Sequence, residues 1–99
     1  YIFFFLLIVM AHYVYMVECW NGAYYTGYTI DLEKRMKKHK AGKGSKYVKS
    51  KGFKKLVYSE SYPDKITAMK REYVLKKSPR IYKENLVINQ NLYKNSNEF

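Results

Sequence analysis

This chain has almost no means of covalent or metal cross-linking. Cys19 is its only cysteine, so no internal disulfide can form and no cysteine-based zinc site can be assembled. That usage fits a reducing compartment, and a cytoplasmic location is expected. His12 and His39 are the only histidines, too few and too separated for a histidine-rich metal cage. Acidic residues are scarce as well: 8 Asp and Glu stand against 19 Lys and Arg, for a formal charge of +11. Such an excess costs self-repulsion in the compact state, which a polyanionic partner offsets. No internal repeat is present, and 99 residues suit one domain with one core.

The chain also lacks an apolar run long enough to cross a bilayer, which takes about 20 residues. The longest candidate, Tyr1 to Ala11, is uncharged but short, and no basic segment precedes it as in a signal peptide. Met10 stands just before a strand-like segment. We therefore expect the native chain to start there, with residues 1–9 an apolar extension and no stable membrane partner. A short membrane-surface anchor is the alternative reading of the same run. Residues 10–88 then form the folded domain, and residues 89–99 a polar, Asn-rich, frayed tail.

What the chain has in abundance is lysine. From Lys34 to Lys55 there are eleven basic residues and no acidic one. The plain reading is a solvated face. However, Tyr47, Phe53 and three glycines interleave with the cations, a mix suited to tracking a nucleic-acid backbone. Lys38, Lys43, Lys46, Lys49 and Lys51 are the candidate phosphate contacts.

Residues His12 to Cys19 alternate in a strand pattern, and Asn21-Gly22 signals a hairpin returning through Ala23 to Tyr28. A three-residue loop, Trp20-Asn21-Gly22 with Gly22 left-handed, pairs Cys19 with Ala23. Tyr13, Tyr15, Val17, Tyr25 and Gly27 then share one face, with Gly27 opposite Tyr15 and leaving room beside its ring. A two-residue turn would instead put Tyr15 and Tyr25 on opposite faces. Asp31 to about Lys40 reads as a helix with Leu32 and Met36 on its apolar stripe and with Arg35 and His39 together at the stripe's edge. A basic loop with one helical turn follows, then a third strand, Phe53 to Ser59. Asp64 opens a helix to about Lys77, and Ser78-Pro79 opens a shorter one to about Val87. The fold class is α+β: a small three-stranded antiparallel sheet flanked by helices.

On the second long helix, Glu72 falls in an arc with Ala68, Leu75, Met69 and Tyr73, away from Lys70 and Lys77. An acid so placed needs a cationic partner or a metal; an ion pair with a lysine and a metal site are both open. Taken singly, Tyr15 and Tyr25 read as half-buried strand tyrosines, and His39 as a surface helix histidine. Cys19, Trp20 and His12 read as structural.

Together the residues resemble the GIY-YIG nuclease superfamily, specifically small standalone members similar to the N-terminal nuclease domain of UvrC. The name-giving tripeptides stand as Tyr13-Val14-Tyr15 and Tyr25-Thr26-Gly27. Arg35 lies in Asp-Leu-Glu-Lys-Arg-Met-Lys-Lys-His, ending at His39. The stretches Gly42-Lys43-Gly44-Ser45-Lys46-Tyr47, Leu56-Val57-Tyr58 and Ala68-Met69-Lys70-Arg71-Glu72-Tyr73 complete the match. Three positions depart: Tyr13 replaces glycine, Thr26 replaces isoleucine, and Tyr28 stands where some members have a lysine. Lys43 and Lys46 are the nearby candidates for that lysine's role.

The resemblance implies a DNA endonuclease using one divalent cation, Mg2+ or Mn2+, held by Glu72. It implies catalytic roles for Tyr15, Tyr25, Arg35, His39 and Glu72. Arg35 would meet charge on the phosphoryl oxygens. Tyr15 or Tyr25 would take a proton from water as phenolate, its neighbours lowering its pKa, and His39 would relay that proton or donate to the phosphate. With no separate recognition domain, low sequence specificity is expected, with branched, nicked or single-stranded DNA as preferred forms. RNA shares the chemistry and is the alternative polymer. A monomer or weak homodimer is expected. The rival reading is a basic nucleic-acid-binding module, catalytically weak or inactive, on the same scaffold.

Overall fold

A computed structural model describes residues 11–97. The readings made for residues 1–9 and for Met10 lie outside the described residues. Strands β1 (His12–Cys19), β2 (Tyr24–Thr29) and β3 (Phe53–Tyr62) form one antiparallel sheet in the order β2-β1-β3. Helices α1 (Leu32–Lys40) and α2 (Lys46–Lys51) lie between β2 and β3; α3 (Lys65–Lys77) and α4 (Arg80–Asn97) follow β3. This is the expected α+β architecture.

The hairpin takes the three-residue loop. Gly22 has φ +88°, and the Cys19 N–H donates to the Ala23 carbonyl at 2.8 Å. Tyr15 therefore stands opposite Gly27. Because β1 is the central strand, its alternating side chains are buried on both faces. Val14 and Met16 meet Tyr58, Ala68 and Leu75, with Leu86 and Val87 packed alongside. Tyr15, Val17 and Cys19 meet Val48, with Leu32, Met36 and Phe53 around them. Asp31, Ser45 and Asp64 cap α1, α2 and α3 by accepting N–H bonds from Lys34, Val48 and Thr67.

Two elements run past their expected ends. β3 reaches Tyr62 rather than Ser59, and α4 continues to Asn97 where a frayed tail from residue 89 was expected. The extension of α4 has a physical cause. The Gln90 side chain donates to the Ser59 carbonyl at 2.8 Å and accepts the Ser59 N–H at 3.3 Å. Its amide thus pairs the open edge of β3 much as another strand would. No helix among the described residues is long and apolar enough to cross a membrane.

Helix α3 is unusual in what it leaves in water. Only Ala68 and Leu75 are buried, while Met69 and Tyr73, expected in the same arc, are exposed, as are Ile66 and Val74. Ala68 and Leu75, seven positions apart, form a narrow buried stripe against Val14 and Met16. An ion pair supports the same rotation: Arg71 grips Glu60 of β3 through Nε and Nη2, both at 2.9 Å, and Glu60 also accepts the hydroxyls of Tyr58 and Tyr62. This fixes the direction of Glu72, the next residue along the helix. Burial alone would raise the Glu60 pKa. Hydrogen bonds from Arg71, Tyr58 and Tyr62, with the Arg71 charge, outweigh it and hold the carboxyl below its ordinary 4.5. A depressed carboxyl stabilises the fold fully above its unfolded value and loses that contribution as pH falls through the folded value. Arg71→Ala should cost about 3 kcal/mol in urea denaturation at pH 7. The gap from wild type should narrow as pH drops below about 4.5; a gap independent of pH would show that the pair does not act as described.

Candidate active site

The site forms where β1, the edge strand β2, α1 and the start of α2 meet. The Tyr15 hydroxyl and His39 Nε2 share a hydrogen bond of 2.8 Å, with both residues buried. Two glycines make this contact fit. A Cβ on Gly27 would lie 2.5 Å from the Tyr15 hydroxyl oxygen, and one on Gly44 would lie 2.6 Å from His39 Nδ1. Neither glycine has a positive φ, so it is the space they leave that matters. The Tyr25 ring meets His39 edge-on at 5.6 Å and Tyr15 at 6.4 Å. Phe53 stacks against His39 at 6.1 Å, and Tyr47 stacks on Tyr25 at 6.1 Å.

Burial pushes the Tyr15 phenol up to about 12, helped by Tyr25 and Glu72, although the nearby Arg35 guanidinium pulls it down. The expectation that neighbours would lower this phenol therefore needs correcting: in the buried pocket, desolvation of the phenolate wins. Burial, and then the Arg35 charge, push His39 below its ordinary 6.5, so its ring is neutral at pH 7. His39 Nδ1 is buried and lacks a hydrogen-bond partner. The same two charges that act on Tyr15 locate the remaining candidates. Arg35 from α1 and Glu72 from α3 both lie close enough to shift the Tyr15 hydroxyl.

Glu72 is mostly buried, its side chain 17% exposed, and Lys76 one turn on stands 3.7 Å away. The lysine pairing anticipated for this acid is thus present. Lys76 is half exposed. Among the described residues no group of three or more His, Cys, Asp and Glu could cage a metal. A single hard carboxylate does suit Mg2+ or Mn2+, which keep several waters and take further oxygens from a phosphate. The donor set fits that cation class.

The expected lysines divide in two. Lys38 lines a groove of about 240 Å3 with Arg35, Lys34 and the Thr29–Asp31 turn. Lys43, Lys46, Lys49 and Lys51 stand exposed on α2 and the loop before it; the Lys49 stem lies beside Gly42, and the Lys51 ammonium lies 5.9 Å from the Tyr47 ring centre. Sequence reasoning missed a second groove, about 280 Å3, lined by Tyr24, Tyr25, Thr26, Tyr47, Lys76 and Lys83. Lys76 was findable from its i, i+4 spacing to Glu72; Lys83 had no local signal. Tyr28 turns to the opposite face and pairs with His12, its hydroxyl 2.7 Å from Nδ1.

Comparison with known proteins finds relatives over most of the chain. The sequence profile of the GIY-YIG catalytic domain matches residues 11–90. UPF0213 protein BH0048 of Halalkalibacterium halodurans is 49% identical over 78 residues, covering 79% of this chain and 83% of that protein. A UPF0213 protein of Halobacterium salinarum is 45% identical over 75 residues, 76% of this chain and 97% of its own length. The solution NMR structure of BH0048 superposes with a TM-score of 0.50 over 79% of this chain and 83% of that one.

Where space allows, glycine-to-alanine changes usually stabilise a chain by about 0.4–1 kcal/mol. Gly27→Ala and Gly44→Ala should instead each destabilise by about 1–3 kcal/mol, since the added methyl overpacks a closed pocket. Thermal melting of both variants checks this, and a rise in melting temperature for either would contradict the close approach.

Proposed function

This chain belongs to the GIY-YIG family of nucleases, and from that premise we propose that it is a metal-dependent endonuclease hydrolysing DNA with low sequence specificity. The observation that carries the proposal is the convergence on one phenol: the Tyr15 hydroxyl touches His39 and feels both Arg35 and Glu72. Five residues from β1, β2, α1 and α3 thereby surround one point, and no fold requirement asks for that assortment of groups.

A divalent cation bound at Glu72 would supply Lewis-acid charge at the scissile phosphate and at the leaving oxygen. Everything else falls to the chain's own side chains. The planar Arg35 fork holds the phosphoryl oxygens and meets the charge that grows there. Tyr15 does not ionise by itself at neutral pH. Its basicity is borrowed instead: as its oxygen takes a proton from the attacking water, its own proton passes to Nε2 of neutral His39. In this reading the resting His39 proton sits on Nδ1. The new P–O bond forms as the bond to the leaving sugar oxygen breaks, and that oxygen takes a proton from solvent. Tyr25, half buried beside both rings, orients the water. The surrounding lysines bind phosphates and carry no base information.

A second reading has one observation in its favour. Lys76 already pairs with Glu72 at 3.7 Å. A binding module without cleavage would look the same there. Supercoiled plasmid with Mg2+ or Mn2+ separates the two. Wild type should nick it, and Glu72→Ala should lose at least about a hundredfold in rate, the scale of an electrostatic catalytic group. Both proteins should bind DNA, with affinity falling on the order of a thousandfold between 50 and 200 mM salt for about six phosphate contacts. Binding without nicking by wild type in either metal would leave only the module.

A further inference from the structure

The hairpin tip presents an aromatic surface that the proposed cleavage chemistry does not use. Trp20, expected to be structural, is 70% exposed. Its backbone is nevertheless held firmly. The Trp20 N–H donates to the Gly52 carbonyl at 2.9 Å, the Gly22 N–H to the Cys19 carbonyl at 2.9 Å, and the Arg80 guanidinium to the Gly22 carbonyl at 2.7 Å. The indole lies against Gly52, where an added Cβ would stand 3.3 Å from it, and the Lys54 ammonium is 5.3 Å from its ring centre. Nearby in sequence, Tyr47 is 44% exposed and Lys51 sits by its ring. Two exposed aromatic rings thus each have a lysine beside them, Tyr47 within the segment of eleven cations and no acid and Trp20 resting on Gly52 of that segment.

We propose that Trp20 is a stacking platform for an unpaired base of single-stranded DNA. The proposal rests on the nucleic-acid partner inferred above, but not on cleavage. An exposed indole on a held backbone, beside the basic segment, suits a ligand with flat π faces and regularly spaced negative charge. Lys51 takes a phosphate, joined by Lys54, which also pairs with Glu18 at 3.7 Å, while the solvent-facing indole takes the base. Bases within a duplex are already stacked and hidden, so the surface selects a single strand, a gap or a branch arm. Trp20 lies five positions from Tyr15 along β1, roughly 17 Å at strand rise. A strand gripped at the tip therefore reaches the catalytic groups within a few nucleotides.

Trp20 is the only tryptophan in the chain, so its emission reports on this site alone when excited at the red edge, where tyrosine does not absorb. The full chain is titrated in EDTA with a thymidine oligonucleotide and with a duplex of equal length. Saturable quenching by the single strand, little change with the duplex, and about a tenfold loss of single-strand affinity in Trp20→Ala support the platform. Trp20→Phe should recover part of that loss, and its circular dichroism shows whether the fold is intact. Single-strand binding without quenching, equal losses on both DNAs, or no binding to either would overturn it. Failure to nick plasmid while quenching persists would sink the nuclease reading and leave this one standing.

Discussion

The 2.8 Å hydrogen bond between the Tyr15 hydroxyl and His39 Nε2 organises the molecule. It joins the central strand to α1 with both side chains buried, and several features of the fold serve to make it. The odd-membered hairpin loop brings Gly27 opposite Tyr15. Gly44 clears the far side of the imidazole, and Phe53 lies flat against it. Burying the pair has a chemical result. Desolvation disfavours both the phenolate and the imidazolium, so both rest neutral and share one proton contact. A neutral pair of this kind can pass a proton without either member being charged at rest.

Around that pair, charge is supplied from outside the pocket. Arg35 arrives from α1, on the same face as His39. Glu72 arrives from α3, which Ala68 and Leu75 anchor in the core. The Arg71–Glu60 clamp supports the same rotation, with Glu60 further held by Tyr58 and Tyr62. An ion pair in a core is weak evidence for net stability. Here its worth lies in specificity, since the residue next to Arg71 is the acid that must face the site.

Much of this was legible beforehand. Given the three-residue loop, which a shared site for Tyr15 and Tyr25 requires, the common face of Tyr15, Tyr25 and Gly27 and the placing of Arg35 and His39 follow from strand and helix periods. The family resemblance followed from the same residues. Other features were hidden for physical reasons. The depth of His39 was invisible because the glycine that covers it, Gly44, comes from a loop five residues later. The length of α4 was missed because Gln90 looks like tail composition and acts instead on the edge of β3. Met69 and Tyr73 were misplaced because α3 has no clean apolar stripe to read. Trp20, read as structural, stands 70% exposed at the hairpin tip, which its sequence neighbourhood does not signal.

The most direct test is a nitrogen-15 NMR titration of His39 in the metal-free protein. If the pair is buried as described, His39 titrates below its ordinary 6.5, Nε2 shows the shift of a hydrogen-bonded ring nitrogen, and Tyr15→Phe removes that signature alone. An imidazole that titrates at 6.5 or above, with Nε2 indifferent to the loss of the Tyr15 hydroxyl, would contradict the account at its centre.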